Sequence, residues 1–302
     1  MSSIDALSPN INKEDSIVVQ SSTIKSLAHS MGFFACGIAK AAPVDKAVAQ
    51  KYRKWLENGE EASMTYMTNY LEKRLDPRLL VPGVRSIVSL ALNYAPAQQL
   101  PKGEYQIAAY ALGLDYHDLM KQKMRELAIK ITERWQLPKQ EEGEEASVRY
   151  FCDTAPVLER YWAQKAGLGW VGRNHQLIIP HAGSMFFLGE IFLPFDVDVY
   201  DEAMSNRCGS CHRCIDACPT RAIIPDEDFH AERCLSYQLI ENRGELTDEA
   251  KNHMGDTIYG CDRCQTACPW NRFATPNTEP ALQPKPELLN MSKEKWHNLT
   301  IE

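Results

Sequence analysis

Eight of the ten cysteines fall between Cys208 and Cys268, and their spacing limits the chemistry they can do. Cys208, Cys211, Cys214 and Cys218, followed by Pro219, read C-x2-C-x2-C-x3-C-P; a lone Cys234 comes next, then Cys261, Cys264, Cys268 and Pro269. The first run has the spacing of bacterial ferredoxins, in which three thiolates grip one [4Fe-4S] cube and the fourth reaches the other cluster. Eight thiolates match two cubes. Paired C-x2-C units also build tetrahedral zinc sites, but zinc has no use for a third cysteine in the run or for a repeated C-x2-C-x3-C-P ending. By the crossover rule, one cluster takes Cys208, Cys211, Cys214 and Cys268, and the other takes Cys218, Cys234, Cys261 and Cys264. Such a pair moves electrons singly from a donor to something else.

The other stretch with chemical content is RYFCDTAPVLERYWAQKAGLGWVGRNHQLIIPHAGSMFFLGEIFL, residues 149 to 193. Asp153 stands where a strand is expected to end, just ahead of Pro156 and a helix. Its carboxyl could cap that helix, or apolar surroundings could raise its pKa so that it donates a proton; composition leaves both open. Gly167, Gly169 and Gly172 make a side-chain-poor turn beside Arg173 and Asn174. Their spacing does not fit the dinucleotide fingerprint, and they could instead let a large flat cofactor approach the backbone.

These residues need a scaffold, and periodicity outlines one. Helices are expected at about 18–31, 45–58 and 116–136, the last with a stripe of Leu119, Met120, Met124, Leu127 and Ile131. GFFACGIAKA and RSIVSLALNY read as strands, with YQIAAYAL (105–112) as a neighbour of the second; HQLIIP and SMFFLGEIFLP read as further strands, and APVLERYWAQKAG as a helix. The charged run 139–149 reads as a solvated loop. The fold class is α+β with an appended ferredoxin-like module.

At 302 residues and 44% hydrophobic, the chain can bury a full-sized core. No charged leader precedes an apolar run, and no apolar stretch reaches about 18 residues, so the expected compartment is the cytoplasm, without membrane association. Thiols stay reduced there, so the cysteines read as metal ligands or catalytic groups rather than as a disulfide scaffold. Cys36 and Cys152, outside the clustered runs, read as small buried apolar residues. Net charge is -7, from 33 basic and 40 acidic side chains, so a polyanion would have to meet a local patch.

The blocks CDTAPVLER, AGLGWVGRN and GSMFFLGEI, then CGSCHRC, ACP, the lone RCLSY and CDRCQTACPWN, together resemble the epoxyqueuosine reductase family. RLDPRLLVPGVRSIVSLALNY and YALGLDYHDLM extend the resemblance over nearly the whole chain. It implies a base-off cobalamin bound between a nitroreductase-like domain (1–195) and the two-cluster module (196–275), followed by a docking tail (276–302). It implies a tRNA substrate whose wobble epoxyqueuosine is reduced to queuosine, the last step of that pathway, and an external electron donor. On this resemblance Asp153 protonates the leaving oxygen, and Tyr110, Asp115, Tyr116 and His117 face the substrate, although Asp115 also reads as a helix cap. The corrinoid would meet Ala109, Asp153, the stretch from Leu177 to Leu188, Ser236, Cys261 and Asp262. Many members continue into a helical-repeat domain, so this chain resembles a short form, expected to be a monomer with a single docked tail helix. Phosphate contacts could come from Lys73, Arg74, Arg78 and Arg85, or from Arg160 and Lys165. Other classes stay open: a corrinoid and iron–sulfur reductase of the dehalogenase type acting on a small molecule, an electron carrier without catalysis, and a corrinoid-activating or tRNA-binding partner.

Overall fold

The computed structural model describes residues 19–136, 148–225 and 229–299. Four strands build the main sheet: β1 (Ala35–Lys40), β2 (Ser86–Asn93), β3 (Arg149–Phe151) and β4 (Phe186–Leu193), in the order β1-β2-β4-β3 and antiparallel throughout. The central pair runs from Ser86 opposite Leu193 to Asn93 opposite Phe186, and both strands are almost continuously buried. A strand with no solvent face reads as an unbroken apolar run, which is why β2 and β4 were legible without alternation. The helices are α1 (Ser21–Ser30), α2 (Lys46–Glu57), α3 (Tyr116–Arg134) and α4 (Glu159–Lys165). On one face of the sheet, Ile24, Ala28, Met120, Met124, Leu127 and Ile131 of α1 and α3 meet Val88, Leu90, Phe187 and Ile191. On the other, Trp162 and Ala163 of α4 meet Ile87, Ala91 and Phe192. Along β4, odd positions face one core and even positions the other, as the two-residue period of a strand requires.

The cysteine-rich part is made of short pieces. Helix α5 (Arg213–Asp216) packs on α7 (Arg263–Thr266), and α6 (Leu235–Ile240) follows Cys234. Each cysteine run ends in proline, which lacks the N–H a continuing helix needs, so α5 and α7 stop within about one turn. This part is tied to the sheet by side-chain clamps. Asn271 Oδ1 accepts from the Ser184 N–H at 2.6 Å while its Nδ2 donates to the Gln265 carbonyl at 2.6 Å. Trp55 Nε1 donates to the Phe229 carbonyl, and the Tyr237 hydroxyl sits 2.6 Å from Ser63 Oγ.

Three expectations need correction. Residues 105–112 do not extend the main sheet: only Gln106–Ile107 is extended, pairing in parallel with Thr257–Tyr259, and Ala109–Ala111 turns as a 3-10 helix. The partner lies some 150 positions along the chain, beyond any local pattern. The tail carries two short helices, Pro286–Leu289 and Lys293–His297, rather than one, because Ser292 accepts from the Lys295 N–H and starts a second helix there. Finally, the 167–172 glycines face protein rather than an open surface. A Cβ on Gly169 would stand 2.0 Å from the Ile178 carbonyl oxygen, and one on Gly172 would stand 2.5 Å from Ile178 Cδ1. The expected loop at 139–149 lies mostly outside the described residues, and its end, Arg149, begins β3.

Gly169→Ala is therefore expected to cost about 2–3 kcal/mol or more through overpacking, lowering the thermal midpoint by several degrees. A differential scanning calorimetry trace unchanged from wild type would contradict the close approach.

Candidate active site and cysteine clusters

Asp153 sits just past the end of edge strand β3, in a left-handed backbone conformation with φ +57°. Its carboxyl is 60% exposed. The Tyr116 hydroxyl donates to Asp153 Oδ2 at 2.7 Å, and His117 Nε2 lies 3.4 Å from the same oxygen. Both partners come from the first turn of α3, whose start is set by Asp115: Asp115 Oδ1 accepts from the His117 N–H at 2.8 Å and also lies 2.7 Å from His117 Nδ1. Asp115 is thus the helix cap, and its second contact ties it to His117 beside Asp153. Hydrogen bonds from His117 hold the Asp115 carboxyl below the usual range. Burial, then the charge and hydrogen bond of Asp153, pushes the Tyr116 phenol well above its ordinary value. Asp153 itself caps nothing, since α4 begins after Leu158 without a side-chain cap.

Tyr116 also stacks on Phe187 of β4 at 4.0 Å with rings almost parallel, and Tyr94 packs on the far side of Phe187 at 4.6 Å. The Tyr94 hydroxyl is 3.2 Å from Gln265 Oε1, next to Cys264. Tyr110 bridges the same gap from another side, 6.4 Å from the Tyr116 ring and 6.2 Å from Tyr259. Burial, then the hydrogen bond with Tyr259, raises the Tyr110 phenol. Ala109 donates its N–H to Asp262 Oδ2 at 2.6 Å, and burial raises the Asp262 carboxyl. The structure thus gathers Ala109, Tyr110, Tyr116, Asp262 and Cys261 at one seam. Ser236 is half-buried at the start of α6. Leu177 is buried in the core under α4, where Leu188 packs against it from the edge, so neither extends freely into the seam.

The eight clustered cysteines separate into two groups. Cys208, Cys211, Cys214 and Cys268 line one cavity together with Arg173, Asn174, Ile178, Pro269 and Trp270. Cys264 is raised by burial and then by the thiols of Cys234, Cys261, Cys218 and, more weakly, Cys214. Cys268 thus faces the first run although it ends the second. Of the two other cysteines, Cys152 is buried in the core, and burial raises both thiols.

Several residues of the site were not singled out from the sequence, although Glu159 and Glu190 stand inside the CDTAPVLER and GSMFFLGEI blocks. Glu159, the first residue of α4, accepts the Asp153 N–H at 2.5 Å. Glu190 lies in the middle of β4 with no exposure, and its Oε2 has no hydrogen-bond partner. Tyr66 comes from the segment Thr65–Met67; burial, then Glu241, then Asp153, pushes its phenol up to about 12. An acidic residue inside an apolar run was the available signal for Glu190. The basic candidates divide. Arg74 is buried with one Nη2 on the Tyr66 carbonyl, which removes it from any phosphate surface. Arg78, Arg85 and Lys165 pair with Asp76, Asp196 and Asp45, and Arg160 donates to the His175 carbonyl at 2.7 Å. Lys73 lies over the Tyr70 ring at the surface.

Two family models match: one described as a 4Fe-4S double cluster binding domain, over residues 207–271, and one described as epoxyqueuosine reductase QueG, DUF1730, over residues 74–154. An epoxyqueuosine reductase from Cellulophaga algicola is 42% identical over 93% of this chain and 88% of its own length. A solved epoxyqueuosine reductase in complex with an epoxyqueuosine-modified tRNA-Tyr stem loop superposes with a TM-score of 0.74 at 27% identity, covering 92% of this chain and 74% of that one. The Bacillus subtilis enzyme, with its aspartate-bearing catalytic loop swung out of the active site, matches at 0.75 and 28% identity over 92% and 74% of the two chains. With these likenesses spanning both the sheet and the cysteine-rich part, the chain belongs to the epoxyqueuosine reductase family.

Proposed function

We propose that this protein reduces epoxyqueuosine to queuosine at the wobble position of tRNA, with Asp153 as the proton donor. The observation that carries this reading is the presentation of Asp153: an exposed carboxyl, oriented by Tyr116 and His117, at the seam with the cysteine-rich module. Removing an epoxide oxygen as water takes two electrons and two protons, so the site must unite an electron supply with an acid. Tyr116 and His117 orient the carboxyl and hydrogen-bond the oxygen as it leaves. Half-buried aromatic rings from Tyr110 and Tyr116 offer the extruded base stacking surfaces.

The electron supply is assigned to two [4Fe-4S] clusters, one on Cys208, Cys211, Cys214 and Cys268 and one on Cys218, Cys234, Cys261 and Cys264. The cavity lined by the first four thiols supports this, as does the family match to a double-cluster domain. At this seam Ala109, Ser236, Cys261 and Asp262, with backbone help from Leu177 and Leu188, would hold a flat macrocycle beside the rings of Tyr110, Tyr116 and Tyr259. Bound there, base-off cobalamin supplies a metal centre able to pass electrons to the epoxide. The nitroreductase-like domain is assigned to 1–195, the cluster module to 196–275 and the tail to 276–302. Among the described residues no helix is long and apolar enough to cross a membrane; a cytoplasmic monomer served by an external electron donor is part of the proposal.

Anaerobically reconstituted protein, given cobalamin and a reductant, is expected to convert epoxyqueuosine in tRNA to queuosine, read by nucleoside mass spectrometry. No conversion by protein carrying both cofactors would move the substrate to a small molecule. Asp153→Asn is expected to keep both clusters and lose about 10²- to 10⁴-fold in turnover, the usual contribution of a general acid; wild-type turnover would remove the role. Cys268→Ser tests the crossover: iron is expected to fall from about eight to about four atoms per chain, with the surviving electron paramagnetic resonance signal matching that left by Cys214→Ser. A surviving signal that instead matches that of Cys264→Ser would place Cys268 with its own run.

A further inference from the structure

The turn that presents Asp153 has little holding it from within. Its internal hydrogen bonds are short-range, from the Thr154 N–H to the Cys152 carbonyl and from the Val157 N–H to the Ala155 carbonyl. Asp153 occupies a positive φ that a non-glycine residue adopts at some cost and keeps only when its surroundings enforce it. Tyr116 and His117 contact its carboxyl, and its backbone is held by the 2.5 Å bond from the Asp153 N–H to Glu159 Oε1, reaching back from the start of α4. Helix α4 is itself wedged onto the sheet: a Cβ on Gly37 of β1 would stand 1.9 Å from the Ala166 carbonyl oxygen just past its end. Glu159 therefore couples a rigid element to an otherwise lightly held turn.

We propose that Glu159 is the positioning residue of this active site, holding the Asp153 turn in the conformation that points its carboxyl at Tyr116 and His117. The inference rests on the assignment of Asp153 as the proton donor. The groups facing Glu159 are Asp153 and Cys152 from the turn, Glu190 from β4, Arg74 from the helix Leu71–Leu75, Arg160 from its own helix and Tyr116 from α3. Glu190, buried between Ser89 and Phe151 on the neighbouring strands, gains only a 3.5 Å bond from Ser89 Oγ, and burial, then the Glu159 charge, pushes its carboxyl well above the usual range. Burial first, partly offset by the Asp153 N–H, pushes Glu159 up to about 8. Its ionised form is the stronger acceptor, so the hold on Asp153 tightens as pH rises through that value.

The test is hydrogen–deuterium exchange of the 152–158 peptide in the full-length protein between about pH 6.5 and 9, corrected for intrinsic rates, alongside steady-state kinetics. Glu159→Ala is expected to speed exchange of this peptide about tenfold or more. It is expected to lower kcat by a similar factor with KM within about threefold. Glu159→Gln keeps a neutral acceptor and is expected to restore most protection and turnover while abolishing the change in protection near pH 8. Unchanged exchange in Glu159→Ala overturns the proposal, as does a loosened turn with unchanged turnover. Should Glu159→Ala fail to fold, Glu159→Gln decides alone, and a change near pH 8 that persists in it overturns the proposal. Exchange needs no substrate, so a wild-type protein that leaves epoxyqueuosine untouched would fail the functional assignment while the hold by Glu159 is still judged.

Discussion

Everything in this molecule is arranged around a sheet whose central strands have no free face. β2 and β4 are apolar on both sides, so α1 and α3 must cover one face and α4 the other. Burial of this kind is the main favourable term in folding, and it leaves the sheet interior unavailable to solvent chemistry. Only strand ends, the short edge strand and the seam with the cysteine-rich module remain, and Asp153 stands at the end of that edge strand. The single acidic residue within β4, Glu190, is the exception to the apolar rule, and it lies under the helix whose first residue holds the Asp153 turn.

The seam is polar where the sheet is apolar. Asn271 satisfies two backbone groups on opposite sides of it, Asp262 accepts from Ala109, and Asn277 Nδ2 donates to the Ala95 carbonyl at 2.9 Å. Each contact replaces water at a buried backbone group, so breaking one leaves a donor or acceptor unsatisfied. Such contacts are directional, and they fix orientation more strictly than apolar packing does. The proposed relay toward Asp153 needs that orientation. The stack from Tyr94 through Phe187 to Tyr116 crosses the same ground with ring-to-ring contacts of 4.6 and 4.0 Å.

How far the chain could be read in advance depended on whether the signal was local. Helix α3 was legible because its apolar stripe repeats every three to four residues and Asp115 caps its start. β2 and β4 were legible as long apolar runs. The 105–112 segment misled because its partner, Thr257–Tyr259, lies in a different part of the chain. The glycines of 167–172 misled because a residue without a side chain does not declare what approaches it; here it was the Ile178 backbone and side chain. Arg74 looked like a surface cation and proved buried, since nothing in its neighbours marks the face of a five-residue helix.

The sequence by itself determined the family, the cysteine runs and the identity of the acidic residue ahead of α4, because ligand spacing and motif order are properties of the chain and survive without coordinates. It also determined the main helices and strands, whose periods are set by backbone geometry. Only the tertiary structure decided that Tyr66 comes within electrostatic reach of Asp153, and that Glu159 grips the Asp153 backbone while Glu190 lies buried in β4. These are contacts between groups whose positions depend on how the helices settle on the sheet, and burial changes what a carboxyl does without changing its letter in the sequence.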